Sequence, residues 1–333
     1  WAVAASLALL ALGAAIFGKA YRVLVALAFV AVPLISWLAF ANASLLLDPA
    51  RPLLVGTGSV AGVALGLFAM ARVDRERLRE ALVQERIATA ATEGELQAAR
   101  AIQLGMVPPR ERLRQIDPRV DLDALLEPAR SIGGDYYDVI KIGDDQIGFA
   151  IADVTGKGVP AALFMAMSKA LTSAALSRMQ ADPATMAAAI NSELLKDNGD
   201  AMSVTMLLGI LDLTTGEVRM VCAGHEDPLL LTKDGSVQRI RLEGGLPLCI
   251  AELPYPLETL RLRPGETLVL ITDGVTEAQD AQGRLFGRDA LLVDGSNATA
   301  IVEGIRDRVR GFEEGAEATD DLTVMAVRYL GQG

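Results

Sequence analysis

Three uncharged, apolar runs fill most of the first 71 residues of this chain. They cover residues 1–17, 23–42 and 53–71, and each is close to the roughly 20 residues that an α-helix needs to cross a bilayer. Hydrophobic residues make up 51% of all 333 positions, and the mean hydropathy is +0.34. The sequence therefore predicts three transmembrane helices within residues 1–71.

Basic residues predict the orientation of these helices. Lys19 and Arg22 lie between the first two runs, and several arginines follow the third run: Arg72, Arg75, Arg77 and Arg79. Because basic loops are retained in the cytoplasm, everything after residue 71 should be cytoplasmic. Trp1 would then lie in mid-helix with no basic segment before it, unlike a signal peptide. We expect the chain to be the C-terminal part of a longer protein.

Residues 72–107 form the predicted linker. The segment is charged, rich in alanine and free of proline up to Pro108, which predicts one long helix from residue 72 to about residue 104. A weak 3.5-residue apolar seam would let two copies pair as a coiled coil, so we expect a homodimer through this helix. A solvated single helix stabilised by neighbouring ion pairs is the alternative.

Residues 108–333 form the predicted cytoplasmic domain. Helical patterns cover residues 161–180, 183–195 and 298–311. Strand-like alternation recurs between glycine-containing turns, at residues 120–126, 136–142, 147–151, 204–212, 217–222, 228–233, 257–262, 267–271 and 322–329. Many hairpins with helices grouped between them predict an α+β domain of mainly antiparallel sheets.

The stretch GFAIADVTGKGVPAALFMAM at residues 148–167 places a carboxylate between a strand and a helix. Asp153 should lie at the end of the strand, and Pro160 fits the first turn of the helix that follows. The glycine-rich turn around Lys157 leaves room for an ion or a phosphate near the backbone. Taken alone, Asp153 would more often be a turn or capping residue.

Three further acidic turns accompany Asp153, and they carry Asp135, Asp273 and Asp320. If the fold brings these carboxylates together, they need cations, because they would otherwise repel one another. Oxygen ligands favour Mg²⁺ or Mn²⁺, whereas one histidine and two scattered cysteines argue against zinc. The net charge of −11 gives no support to nucleic-acid binding.

Seven motifs in a fixed order resemble the SpoIIE/RsbU branch of the PPM metal-dependent serine/threonine phosphatases, over about residues 100–330. Each alone is weak, but together they are specific: GGDYYD at 133–138, ADVTGKGVPAALFMA at 152–166, SVTMLLGILDLTTGEVRMVCAGH at 203–225, GGLPL at 244–248, ITDGVTEA at 271–278, FG at 286–287 and DDLTV at 320–324. The resemblance implies a PPM phosphatase-like sandwich of two antiparallel β-sheets flanked by helices.

The resemblance also implies a ligand set for two Mn²⁺ or Mg²⁺ ions. Asp153 would bridge the ions, and the carbonyl of Val154 and Asp135 would bind the second ion. Asp273 and Asp320 would bind the first ion, with Asp153 and Asp273 as the catalytic residues. Two such ions, about 4 Å apart, can hold a hydroxide for in-line attack on phosphorus.

Two residues near this set are ambiguous. Lys157 fits a phosphate-binding role and a surface lysine equally well. His225 stands in AGHEDP, where the family more often has AGHNPP, and a structural histidine is favoured over one that contacts substrate. Asp138 and Asp321 are expected in turns or behind the ligands.

By this resemblance, the protein should be a bacterial protein phosphatase of the inner (cytoplasmic) membrane, with its phosphatase domain in the cytoplasm. Its substrate would be a phosphoserine or phosphothreonine on a STAS-type anti-sigma-factor antagonist, in a partner-switching signalling pathway. A sensor upstream of the membrane helices would resemble CHASE-type receptors. Two alternatives remain: a GGDEF-like nucleotide cyclase, suggested by GGD at 133–135, and a catalytically inactive interaction module.

Overall fold

The computed structural model describes residues 50–332, apart from 179–181, 197, 200, 289–290 and 292–294, together with Leu34, Leu38 and Ala41. The predicted membrane spans at 1–17 and 23–42 therefore lie almost wholly outside the described residues. The chain divides into two compact units, Trp1–Thr92 and Glu93–Gly333.

One helix, α1 (Ala50–Met106), contains both the third predicted span and the predicted linker helix. Gly94 does not interrupt it. Several of its apolar side chains are exposed, including Leu78 (62%), Leu82 (49%) and Ile87 (57%). Leu78 and Leu82 lie one turn apart on the same face of α1, whereas Ile87, nine positions after Leu78, lies on the opposite side.

The second unit contains two five-stranded antiparallel sheets. Sheet A has the order β1-β10-β9-β6-β7, and sheet B has the order β2-β3-β4-β5-β8. The strands are β1 (Val120–Glu127), β2 (Tyr136–Ile142), β3 (Gln146–Val154), β4 (Val204–Asp212), β5 (Glu217–Ala223), β6 (Leu229–Leu231), β7 (Val237–Arg239), β8 (Glu258–Arg261), β9 (Thr267–Ile271) and β10 (Leu322–Tyr329).

The two sheets pack face to face, because their inward side chains belong to one apolar core. Along β10, Met325 and Val327 join this core together with Phe149 and Leu207 of sheet B. Val324 and its alternating neighbours face the opposite side of sheet A, in a second apolar cluster with helix α6 (Ala298–Glu313). This period of two is what a strand buried on both faces produces.

The helices of this unit are α2 (Arg110–Arg114), α3 (Val159–Arg178), α4 (Pro183–Lys196), α5 (Asp273–Thr276) and α6 (Ala298–Glu313). Helices α3 and α4 pack on sheet B, and α6 packs on β1 and β10 of sheet A. The predicted two-sheet α+β sandwich with flanking helices is therefore confirmed.

Among the described residues, α3 is the helix that is long and apolar enough to span a membrane. It lies on sheet B, however, and buries Phe164, Met165 and Leu176. Its apolar composition is thus explained by packing on β2 and β3. The three predicted transmembrane helices at 1–71 stay a prediction.

The structure differs from the sequence-based expectation at the short elements. The strand predicted at 147–151 extends over Gln146–Val154, so Asp153, expected at the end of the strand, lies within it and is paired with Thr205. Strand β7 and helices α2 and α5 were not expected. Each of them is five residues or fewer, too short for a hydrophobic period to be visible.

Candidate active site

The four predicted carboxylates come from neighbouring strands of both sheets. Asp135 directly precedes β2 and Asp153 is the penultimate residue of β3. These antiparallel strands meet there, with Tyr136 opposite Ala152. In sheet A, Asp273 is the first residue of α5, just after β9, and Asp320 lies just before β10. The end of β9 and the start of β10 also meet, because these strands are antiparallel neighbours.

Hydrogen bonds between the sheets hold Asp135 in place. Its Oδ2 accepts a hydrogen bond from Oγ1 of Thr272, at 2.8 Å, and another from Oγ1 of Thr323. Thr272 directly precedes Asp273, and Thr323 belongs to β10. Sheet A therefore orients a carboxylate that belongs to sheet B, which the sequence did not predict.

Asp321 holds the glycine loop in front of Asp135. It is only 6% exposed, and its carboxylate accepts hydrogen bonds from the backbone N–H groups of Ala129 (2.9 Å), Gly134 (2.7 Å) and Asp135 (3.3 Å). A carboxylate that accepts several backbone N–H groups fixes the conformation of their loop. Asp321 thus positions Asp135 from behind.

Two glycines allow the backbones to approach closely at this site. A Cβ added to Gly134 would lie 2.5 Å from the carbonyl oxygen of Val154 and 3.2 Å from Oδ1 of Asp153. A Cβ added to Gly274 would lie 1.9 Å from the carbonyl oxygen of Asp321. A side chain at either position would separate the segments that carry the carboxylates.

The electrostatics of the carboxylate cluster are unfavourable for three negative charges. Burial, and then the charges of Asp273 and Asp320, raise the pKa of Asp153 to about 7. Burial and the charge of Asp320 raise the pKa of Asp273 to about 6. The pKa of Asp135 is raised well above its usual range by burial, then by Asp153 and Asp321. Buried, mutually repelling carboxylates are a donor set that fits hard divalent cations.

As they stand, no three acidic, histidine or cysteine side chains in the described part of the chain are placed to hold a metal ion. Their chemistry nonetheless fits a divalent cation, because a bound cation would offset the mutual repulsion of Asp135, Asp153 and Asp273.

Lys157 faces the loop of Asp320. Its Nζ lies 3.1 Å from Oδ2 of Asp320 and donates a hydrogen bond to the carbonyl oxygen of Thr319 at 2.6 Å. The side chains of the pair are 43% and 42% exposed. Lys157 thus links the turn after Asp153 to the loop before β10 and offers Asp320 a partial counter-charge.

His225 lies behind Asp153. Its Nδ1 is 2.9 Å from Oγ1 of Thr205, and Thr205 is the residue opposite Asp153 in the β3–β4 register. Its buried Nε2 has no hydrogen-bond partner among the described residues. Burial lowers the pKa of His225 to about 4, so the imidazole is neutral at pH 7.

The structure adds Gln103, near the C-terminal end of α1, to the surroundings of the site. Its Nε2 donates to the carbonyl oxygen of Gly133 at 2.5 Å, and its Oε1 accepts from the N–H of Gly133 at 3.1 Å. The side chain is nearly buried, with Gln103 only 6% exposed. The one signal in the sequence was a glutamine on the apolar seam of the linker helix.

Comparison with known proteins places this domain in a family. The family model described as stage II sporulation protein E (SpoIIE) matches residues 143–330. IcfG from Synechocystis sp. is 29% identical over 236 residues, covering 62% of this chain and 37% of IcfG. The phosphoserine phosphatase RsbU of Bacillus subtilis is 30% identical over 215 residues, covering 63% of each protein. The chain thus spans less than two thirds of the length of these relatives.

Solved structures agree with the family match. The RsbU and RsbW domains of Rv1364c from Mycobacterium tuberculosis are 26% identical, with a TM-score of 0.55, over 64% of this chain and 61% of that chain. The SiaA-PP2C domain of Pseudomonas aeruginosa shares the fold, with a TM-score of 0.63 at 21% identity, over 73% of this chain and 98% of that domain. These matches leave the nucleotide-cyclase alternative without support. Since the family match covers more than half of the chain, the protein belongs to the SpoIIE family, and its sandwich domain is a PPM-type metal-dependent serine/threonine phosphatase domain.

Proposed function

We propose that this protein is a membrane-bound bacterial phosphatase that removes phosphate from phosphoserine or phosphothreonine of a protein, using two Mn²⁺ or Mg²⁺ ions. The observation that carries the proposal is the group of buried, mutually repelling carboxylates at the facing strand ends of the two sheets. An ordinary core excludes such a group, because uncompensated buried charge is costly. Perturbed carboxylates of this kind cluster at functional sites.

The proposed ligands are Asp153, Asp273 and Asp320 for the first ion. Asp153, Asp135 and the carbonyl oxygen of Val154 would hold the second. When bound, the ions supply Lewis acidity and neutralise charge on the phosphoryl oxygens.

The residues around these ligands have supporting roles. Thr272 and Thr323 orient Asp135 through its Oδ2. Lys157 donates to the backbone at Thr319 and balances part of the charge of Asp320, and its partial exposure would let it also contact a bound phosphate. Neutral His225 positions Thr205 from behind the site and is proposed as a structural residue with indirect influence on substrate.

For the substrate, we propose a phosphoserine-bearing STAS-type anti-sigma-factor antagonist in a partner-switching pathway. The resemblance to the SpoIIE/RsbU branch supports it, as does the relative described as a phosphoserine phosphatase. The phosphatase domain supports the substrate class, a phosphorylated protein.

For the whole chain, we propose transmembrane helices in 1–71, a linker helix in 72–107 and the phosphatase domain in 108–333. The exposed Leu78 and Leu82, one turn apart on one face of α1, support pairing of two linker helices. The contacts of Gln103 with Gly133 give α1 a direct hold on the loop that presents Asp135. A shift of the helix would therefore reach a proposed metal ligand.

The direct test is an assay of the purified full-length chain with p-nitrophenyl phosphate and a phosphoserine peptide. Activity should require Mn²⁺ or Mg²⁺, disappear with EDTA and return when either ion is added in excess. Full activity in EDTA, or restoration by Zn²⁺ alone, would contradict the proposed site. A chain that binds Mn²⁺ but hydrolyses neither compound would instead support the inactive interaction module.

A further inference from the structure

A cavity of about 730 Å³ lies between the β6–β7 hairpin and the segment that follows α5. Its apolar lining includes Leu229, Val237 and Leu285, and Leu285 is 56% exposed. The volume is in the range of small-ligand pockets, which are mostly apolar with a few polar groups at fixed positions. A largely exposed leucine in such a hollow is suited to receive an apolar group from outside.

The cavity is continuous with the turns that carry the candidate metal ligands. Thr276 and Glu277 line it and stand three and four positions after Asp273. Glu226 lines it as well and directly follows His225. The carboxylates of Glu277 and Glu226 are close enough to Asp273 to contribute to its raised pKa. A peptide with its phosphoryl group at the carboxylates would therefore extend past this cavity.

Two arginines of the cavity wall form ion pairs with neighbouring carboxylates. Nε and Nη2 of Arg288 donate to the two carboxylate oxygens of Glu226 at 2.8 and 2.5 Å. Nε and Nη2 of Arg239 contact Oδ2 of Asp227 at 2.8 and 2.6 Å. Nη1 of both arginines has no hydrogen-bond partner among the described residues, which leaves donors for the carbonyl oxygens of a bound chain.

Charge argues against an acidic occupant, and the lining favours an apolar one. Glu226 and Asp227 already offset the two guanidinium groups, and Glu277 adds a third carboxylate to the wall. An apolar side chain does gain, because it leaves water for the lining of Leu229, Val237 and Leu285.

We propose that this cavity binds an apolar side chain of the protein substrate close to its phosphorylated residue, while Arg239 and Arg288 donate to the backbone of the same segment. The proposal rests on the phosphatase function proposed above and adds a specificity-determining site to it. The cavity would then select substrates by the residues that flank the phosphoserine. A small phosphomonoester such as p-nitrophenyl phosphate would not reach the cavity.

The test uses synthetic phosphoserine peptides in which a single leucine is moved through the positions on either side of the phosphoserine, in a background of alanine, glycine and serine. At one position the leucine should raise kcat/KM about tenfold over the leucine-free peptide, the effect of burying one leucine side chain. The gain should appear in KM rather than in kcat, because it reflects binding.

Leu285→Ser removes an exposed wall of the cavity and should reduce the leucine gain to less than twofold. The matched control is Leu253→Ser, which changes a leucine that is 49% exposed elsewhere on the domain and should keep the full gain. For the arginines, Arg288→Ala should raise KM for all the peptides, whereas Arg284→Ala, on the same segment but outside the cavity lining, should not. The ratio between two peptides in one preparation is independent of the amount of folded protein.

Binding of the same peptides, labelled with fluorescein, is measured in parallel by anisotropy on full-length protein. A leucine gain in binding without any hydrolysis would support the cavity and refute the phosphatase proposal. Hydrolysis that is equal for leucine-containing and leucine-free peptides, or a leucine gain that persists in Leu285→Ser, would overturn the cavity proposal and leave the phosphatase proposal standing.

Discussion

Two buried acidic groups of this domain have opposite surroundings. Asp123, in β1, is fully buried and accepts hydrogen bonds from Arg110 at 2.9 and 2.5 Å and from Arg114 at 3.0 Å. Burial opposes its charge, but these hydrogen bonds outweigh burial, so the pKa of Asp123 is lowered. At the strand ends, burial and then neighbouring carboxylates, Asp320 among them, raise the pKa values of Asp153 and Asp273 to about 7 and 6.

The difference separates a structural carboxylate from those that we propose bind metal. Arg110 and Arg114 complete the site of Asp123 and connect α2 to β1. The cluster around Asp153 has less positive charge beside it, because Lys157 provides one partly exposed counter-charge, to Asp320. A buried acidic group that lacks a protein counter-charge has a place for a cation from solution.

The largest expected effect is on turnover. Asp153→Asn and Asp273→Asn should each lower phosphatase activity at saturating Mn²⁺ by about a thousandfold or more, since loss of a metal ligand removes several kcal/mol of transition-state stabilisation. Hydrolysis of p-nitrophenyl phosphate measures it. Asp307→Asn, at a side chain that is 66% exposed on α6, is the control and should keep wild-type activity. Near-normal turnover of either variant would show that Asp153 or Asp273 is not needed for catalysis.

Stability should change in opposite directions at the two groups. In EDTA, Asp123→Asn should destabilise the domain by about 3 kcal/mol, as expected when one partner of a buried ion pair is removed. Asp273→Asn should instead raise the melting temperature, because it relieves repulsion. Thermal unfolding of both variants at pH 7 checks this prediction. A lower melting temperature for both variants would mean that the carboxylate of Asp273 stabilises the folded domain, contrary to the repulsion described here.

The pH dependence of the same unfolding experiment sharpens the contrast. The pKa of Asp123 is lowered in the folded state, so its stabilising contribution is present above the unfolded pKa of about 3.9 and is lost as the pH falls below it. Between wild type and Asp123→Asn, the difference in stability should therefore shrink on acidification below about pH 4. A difference that stays constant down to pH 2 would contradict the ion-pair account.

A smaller effect is expected where the linker helix holds the glycine loop. Gln103→Ala removes both hydrogen bonds to Gly133 and should weaken Mn²⁺ binding by up to about thirtyfold, because two hydrogen bonds contribute about 1 kcal/mol each and about 1.4 kcal/mol is a factor of ten. Gln97→Ala, at an exposed position of the same helix, is the matched control. Unchanged Mn²⁺ affinity and activity in Gln103→Ala would show that the loop is fixed by Asp321 alone.

The smallest effect concerns the helix as a whole. Insertion of one to four alanines after Glu93 rotates the membrane-proximal part by about 100° per residue against the domain. Activity of the full-length chain in membranes should vary severalfold and periodically with insertion length, since pairing of the linkers would be rotated too. Activity that does not change with insertion length would show that α1 connects the two parts of the chain without controlling activity, and would contradict regulation through a dimer.

Much of the fold could be predicted from the sequence, because alternation and turn glycines are local signals. Strands β2, β4, β9 and β10 begin and end where the sequence predicted. Strand β7 could not be found, since its three residues are largely exposed, and the four-residue helix α5 is too short for a helical period.

The site was predictable in part. The motifs named the carboxylates, but their mutual distances depend on how the two sheets pack, which no local pattern contains. The role of Gln103 was hidden for the same reason, since its partner Gly133 is 30 positions away. The two arginines that neutralise Asp123 are also a product of tertiary structure, because α2 itself was not expected.

The proposed function depends most directly on whether the carboxylates Asp135, Asp153, Asp273 and Asp320 bind divalent cations. Isothermal titration of the EDTA-treated full-length chain with Mn²⁺ at pH 7.5 should show two sites per chain. Asp153→Asn should weaken both of them, because Asp153 is proposed to bridge the ions, whereas Asp307→Asn should leave both intact. Absence of Mn²⁺ binding, or two sites that persist unchanged in Asp153→Asn, would contradict a two-metal site bridged by Asp153.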